Sequence, residues 1–264
     1  MRMQANYETI FVKESRIGLF VKLNRPDQRN SLNTIMINEL INVLDIAEQQ
    51  PEWKLIILEG QSGVFCTGMD LDEYTSKEVS ENESSASQSS KYLDLVKRLS
   101  LIPKIIVSCV DGEVTAGGVG LVAASDMVIA SPRSAFSLSE ALWGLLPAIV
   151  TPYLIRRIGY RKAYQMTLTT MQISAQEAYD IQLVDELSDS LENSVRKLWL
   201  RLRRLEESTI GNIKSYFRKM WIINEQMESE ASEEISKLMA DSIVQRNINN
   251  YVKYGKFPWE SLNK

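Results

Sequence analysis

The sequence predicts an α/β protein, an α/β core continued by a helical C-terminal part, and three patterns carry that prediction. Short runs rich in Ile, Val and Phe alternate with segments of helical period through the first half of the 264 residues. A glycine-rich turn joins one of those runs to the helix that follows it. From Thr151 onward the apolar spacing is almost wholly helical. Alternation of this kind argues for strand–helix–strand units with right-handed crossovers. The expected division is a core carrying the site over residues 1–190 and a helical region over residues 191–264, the latter serving oligomerisation and pocket closure.

The elements follow in order. YETIFVKESRIGLFVKLNRP, beginning at Tyr7, reads as two strands around a turn, closed by Pro26. In NTIMINELINVLDIAEQQP the residues Ile35, Leu40, Val43, Leu44 and Ala47 recur at helical period and Pro51 ends the run. WKLIILEGQ is a short buried strand, and GVFCTGMDLDEY a strand end with a turn. SKEVSENESSASQSS, residues 76–90, is polar and aperiodic, and is expected as a loop, either a functional lid or a disordered insertion. KYLDLVKRLSLI is a helix that stops before Pro103, KIIVSCVDGE a buried strand, GVGLVAASDM a helix and MVIAS a strand. SDSLENSVRKLWLRLRRLEEST and the stretch from Glu225 to Gly255 are long and amphipathic.

Composition removes whole classes of function. There is no histidine, so Ser–His and Cys–His triads and His-ligated zinc are excluded, and acid–base work falls to carboxylates, Tyr, Lys, Cys or water. Cys66 and Cys109 have no metal spacing, and two free thiols suit a reducing cytoplasm. No metal site is expected. A net charge of -4 argues against nucleic-acid binding, and no apolar run is long enough for a membrane span. The first residues carry no apolar core of a secretory signal.

The chain has only 12 glycines, yet Gly112, Gly117, Gly118 and Gly120 fall within DGEVTAGGVGLVAASD. Such a turn can cradle phosphate on backbone N–H groups, or aim one or two of them at a developing oxyanion. Neither glycine-rich phosphate pattern is met. Asp70 is expected to fix its turn, Glu113 to lie at the surface, Cys66 to be core with no nucleophilic role, and Trp143, Phe136 and Tyr153 to be pocket wall or core.

Five stretches in register, LNRPDQRNSLN, GVFCTGMDL, VDGEVTAGGVGLVAASDMVIA, FSLSEALWGLLPAIVTPYLIRRIG and ISAQEAYDIQLVDEL, resemble the crotonase (enoyl-CoA hydratase/isomerase) superfamily. The C-terminal LRLRRL and NNYVKYGKFPWE resemble its branch of hydroxymethylglutaryl-thioester dehydratases from polyketide β-branching cassettes. The resemblance implies a crotonase-like ββα superhelix with a helical trimerisation region. It implies an oxyanion hole made by the backbone N–H groups of Met69 and Gly117, and a catalytic carboxylate at Glu140. The family's other glutamate falls on Gly120, which has no side chain, so the usual pair of carboxylates is broken. The apolar neighbours of Glu140, from Ala141 to Leu146, are expected to raise its pKa.

The resemblance implies no cofactor. The substrate is a thioester on phosphopantetheine, attached to coenzyme A or to an acidic acyl carrier protein. The basic run Arg156, Arg157, Arg161 and Lys162 is either a solvated helix face or a rim that steers such a carrier. The implied reaction is dehydration of a 3-hydroxy-3-methylglutaryl thioester to the 3-methylglutaconyl thioester. The alternatives are a coenzyme A-dependent hydratase or isomerase, the sister decarboxylase, and a silent binding protein on the same fold. The apolar stripes Leu198, Leu200, Leu202, Leu205 and Ile235, Leu238, Met239, Ile243 exceed what one thin layer buries, so a homotrimer or hexamer is expected.

Overall fold

The structure is a computed structural model of the chain and describes residues 6–16, 18–75, 85–221 and 223–262. In chain order the elements are β1 (Ile10–Ser15), β2 (Gly18–Leu23), α1 (Thr34–Glu48), β3 (Leu55–Glu59), β4 (Val64–Cys66), α2 (Leu71–Thr75) and α3 (Ser85–Leu101). Then come β5 (Ile105–Val110), β6 (Glu113–Thr115), α4 (Gly117–Ala124), β7 (Met127–Ala130), β8 (Ala135–Ser137), α5 (Glu140–Trp143) and α6 (Val150–Thr169). The chain closes with β9 (Ile173–Ser174), α7 (Ala175–Asp180), β10 (Glu186–Leu187), α8 (Leu191–Leu202), α9 (Glu207–Arg218), α10 (Glu225–Met239) and α11 (Ser242–Tyr254).

Six strands form one sheet in the order β1-β2-β3-β5-β7-β10, antiparallel at the first pair and parallel beyond it. Parallel strands are covered on both faces, and β5 is buried along its whole length. Ile56 and Leu58 of β3 pack into the main core with α1, α3 and α4, while Leu55 and Ile57 meet Val195 of α8 and Ile210 of α9 on the other side. That period-2 division is what a strand sandwiched between helix layers must show. A second sheet, β4-β6-β8-β9, is made of strands of two or three residues and stands beside the first. Of its strands the sequence marks only β4, as the strand end in GVFC, because runs so short carry no periodicity.

Local chemistry sets the boundaries. Asn33 caps α1, its side chain accepting from the Met36 N–H at 2.9 Å. Ser174 and Glu177 make a reciprocal capping box at the start of α7. The polar segment 76–90 is corrected in its second half: α3 begins at Ser85, six residues before the expected start, and residues 76–84 lie outside the described residues. Gln88 is held there by a 2.8 Å hydrogen bond to Glu73, a tertiary contact that composition does not register.

The C-terminal helices fold back over the core. α10 packs on α3, and α11 on α2 and α5. This corrects the motive for oligomerisation. Leu198, Leu202 and Leu205 pack against the sheet, and Ile235, Leu238 and Met239 against the core beside α2, leaving Leu200 and Ile243 exposed. Exposed apolar side chains lie instead on α6 and the turn after it (Tyr160, Tyr164, Leu168, Met171) and on α9 and the turn after it (Ile213, Tyr216, Phe217, Met220).

Candidate active site

Two turns meet at the mouth of α4. The first runs through Gly68 and Met69, where Leu32 pairs with Met69 in a parallel bridge. The Leu32 N–H donates to the Gly68 carbonyl at 2.7 Å, and the Asp70 N–H to the Leu32 carbonyl at 3.1 Å. A parallel bridge of this pattern leaves the N–H of the bridged residue, Met69, pointing away from its partner. The second turn enters α4 at Gly117, the first helical residue, whose N–H has no partner within the helix. Among the described residues neither N–H has a protein acceptor. Gly68, at φ +85, has no room for a side chain: a Cβ there would lie 2.9 Å from the Gly117 nitrogen and 2.7 Å from the Ala116 Cβ.

Ala116, which caps α4, sits at φ 52 and ψ -122, a conformation that costs a residue with a Cβ about 1–3 kcal/mol. It is held by a 3.0 Å bond from its N–H to the Ser137 carbonyl and a 2.8 Å bond from the Val119 N–H to its own carbonyl. The strain fixes the direction of the Gly117 N–H that follows. Asp70 holds the first turn as expected. It is buried, ion-paired with Arg25 at 2.7 Å, and accepts from the Glu73 N–H at 3.0 Å and the Ser31 hydroxyl at 3.3 Å. Burial pushes its carboxyl up, but the Glu73 N–H, Arg25 and Ser31 outweigh it and hold the pKa below the usual carboxylate range.

Both turns open on a cavity of about 120 Å³. Met69, Ala116, Gly117 and Glu140 line it, with apolar walls from Leu32, Ile37, Leu145, Ile149 and Val150. Ile235 and Met239 of α10 close one side. Its polar side chains, among the described residues, are Gln88, Ser89, Tyr92 and Glu140.

Glu140 opens α5, and its Oε2 is sealed from solvent with no hydrogen-bond partner among the described residues. Burial pushes its carboxyl up to about 7, against the pull of its own N–H and that of Ser139. A buried carboxyl that titrates near neutrality and faces two free N–H groups across an apolar cavity can take a proton at working pH and return it. Cys66 is buried core, its thiol pushed up by burial to about 12, and no nucleophilic role follows.

Tyr92, on α3, is a site residue that sequence reasoning missed. Its hydroxyl donates to the Gly117 carbonyl at 2.5 Å. A Cβ on Gly120 would fall 2.1 Å from that hydroxyl oxygen and 2.9 Å from Val150 Cγ2. The empty position in α4 is therefore filled from α3.

The basic run divides, which corrects its reading as a single rim. Arg156 donates to the Ala123 carbonyl at 2.6 Å and stacks over Trp221 at 4.2 Å. Arg157 donates to the Leu183 and Ser125 carbonyls at 2.9 and 3.0 Å and pairs with Asp185. Both clamp α6 onto the ends of neighbouring elements, and only Arg161 and Lys162 are exposed. Among the described residues no cluster of acidic or thiol side chains is placed to hold a metal, and no helix is long and apolar enough to cross a membrane.

Residues 14–262 match the enoyl-CoA hydratase/isomerase family. The chain is 37% identical to the bacillaene synthase dehydratase PksH of Bacillus subtilis (strain 168), over 96% of this chain and 97% of that protein. It is 32% identical to the enoyl-CoA hydratase EchA19 of Mycobacterium tuberculosis, over 63% of each chain. The crystal structure of PksH from Bacillus subtilis superposes with a TM-score of 0.86 at 36% identity, covering 96% of this chain and all of that one.

Proposed function

Since the chain belongs to the enoyl-CoA hydratase/isomerase family, we propose that it dehydrates a 3-hydroxy-3-methylglutaryl thioester to the 3-methylglutaconyl thioester in polyketide biosynthesis. It is a hydro-lyase of the crotonase superfamily, as its dehydratase and hydratase relatives are. In the proposed reaction the Met69 and Gly117 N–H groups bind the thioester carbonyl, and Glu140 removes a proton from C2. Charge develops on the carbonyl oxygen, where two preoriented donors are worth a few kcal/mol each, about 10²–10³ in rate per donor. The enolate then expels the C3 hydroxyl, and the proton held on Glu140 completes the water.

The observation that carries this reading is the Glu140 carboxyl, with its unpartnered Oε2 in the same cavity as the two turns. Leaving a buried polar atom unpartnered costs about 1–3 kcal/mol, and a substrate proton accounts for it. The carrier is proposed to be an acyl carrier protein, with Arg161 and Lys162, the two exposed cations of the basic run on α6, as candidate contacts for its acidic surface. Intact-protein mass spectrometry of a carrier loaded with 3-hydroxy-3-methylglutaryl tests the proposal. Loss of water is the expected result. Loss of carbon dioxide marks a decarboxylase, and an unchanged mass rejects turnover of this substrate.

A further inference from the structure

A β-hydroxy thioester carries its hydroxyl oxygen three bonds from the carbonyl carbon. A carbonyl held on the Gly117 N–H therefore leaves the hydroxyl beside whatever flanks that residue. Elimination needs a group there, because a hydroxide-like oxygen departing into an apolar cavity must be met by a donor. Glu140 is the one carboxyl in the cavity lining, and it must first take the C2 proton before it can return that proton to the leaving oxygen. Gln88 is tied to Glu73. Position 120 has no side chain, and its space is taken by the Tyr92 hydroxyl.

We propose that the Tyr92 hydroxyl is the second catalytic group, binding the C3 hydroxyl of the substrate and donating a hydrogen bond to it as it leaves. This rests on the dehydratase reading above. Tyr92 lines the cavity, and its hydroxyl bonds the carbonyl of the residue whose N–H faces the thioester. A phenol hydrogen turns about its C–O bond, so the same oxygen offers a lone pair to an arriving hydroxyl and a hydrogen to a departing one. Burial, then Cys66, Glu140 and Tyr153, hold the phenol pKa well above its ordinary value, which keeps the donor protonated throughout. The atoms balance. The C2–H bond breaks to Glu140, the C2–C3 double bond forms as the C3–O bond breaks, and the Glu140 proton passes to the hydroxide. Tyr92 ends with the proton it started with.

The experiment uses the whole chain, wild type and Tyr92→Phe, with carrier protein loaded with 3-hydroxy-3-methylglutaryl in D₂O. Mass spectrometry reads dehydration and deuterium uptake at C2 together, and a thermal melt confirms that each protein is folded. The expected result for Tyr92→Phe is a loss of about 10²–10³-fold in dehydration, with deuterium uptake equal to or above that of wild type. The enolate still forms on Glu140 and the oxyanion donors, but it returns to substrate. Uptake that falls in step with dehydration overturns the proposal, because Tyr92 then acts only by holding the Gly117 turn. Unchanged dehydration overturns it equally. A wild-type enzyme that does not dehydrate this substrate refutes the dehydratase reading itself, before any variant is compared.

Discussion

Glu140→Gln is expected to lose activity and gain stability, and the gain is expected to depend on pH. The folded chain holds the Glu140 proton up to about pH 7, whereas an exposed glutamate releases it near 4.5. Between those values the unfolded state binds fewer protons than the folded state, so stability falls as pH rises, and above 7 the whole penalty remains. A shift of that size corresponds to about 3 kcal/mol at 1.36 kcal/mol per pH unit. Glutamine is neutral throughout and escapes the penalty. Any constant cost of the amide cancels when two pH values are compared. The stability difference between variant and wild type should therefore be about 2–3 kcal/mol wider at pH 8 than at pH 5, or roughly 5–10 °C in Tm. Thermal melts of both proteins at both pH values measure it. Dehydration should fall about 10²–10⁴-fold in the variant, and the wild-type rate should rise with pH through about 7 as the base deprotonates. A difference in stability that is the same at pH 5 and pH 8 would refute the argument that burial holds this proton.

Gly117→Pro removes one oxyanion donor, so turnover should fall at least about 10²–10³-fold, with a thermal melt read alongside because the strained Ala116 that precedes it is a poor partner for proline; near-normal activity in the folded variant rejects Gly117 as the donor. Gly120→Ala drives a Cβ to 2.1 Å from the Tyr92 hydroxyl, which should cost about 1–3 kcal/mol in wild type and clearly less in the Tyr92→Phe background, where that oxygen is gone and the 2.9 Å approach to Val150 Cγ2 remains. Urea melts of the four proteins form the cycle, and equal costs in the two backgrounds would place the strain elsewhere. Tyr160, Tyr164 and Leu168 line one face of α6, 68%, 56% and 65% exposed, with Met171 just beyond it at 67%. A patch of that kind calls for a partner, and a homotrimer or hexamer should appear in sedimentation at micromolar concentration, with a stable monomer as the contrary result.

The large elements were legible because each carries its own period. α1 was read from five residues, and four of them, Leu40, Val43, Leu44 and Ala47, are buried. The fifth, Ile35, is 40% exposed, and Met36 and Ile37 take the core positions instead. The phase of a helix is poorly fixed at its first turn, where the Asn33 cap rather than the stripe decides the entry angle. The C-terminal stripes were read correctly as apolar and wrongly as unpartnered. Whether Leu198 meets its own sheet or another chain is a question of tertiary layering, and the spacing is identical in both cases.

The site was half legible for a related reason. The glycine cluster around Gly117 carried a local signal for a turn that exposes backbone N–H groups, whereas Met69 and Glu140 were named only by the resemblance to the crotonase family, the apolar neighbours of Glu140 adding the expectation of a raised pKa. Tyr92 had no such signal. It lies 28 residues before Gly120 on a helix whose first turns read as a polar loop, and an isolated tyrosine in a helical stripe is ordinarily core. What the sequence did contain was the complementary absence, a glycine where a side chain was expected. An empty position in a well-packed wall has to be filled by something, because a void forfeits contacts on every side. Here the filler is polar, and it reaches α4 at the Gly117 carbonyl. A Cβ at position 120 and the Tyr92 hydroxyl exclude each other in space, and neither residue explains the wall of the cavity without the other.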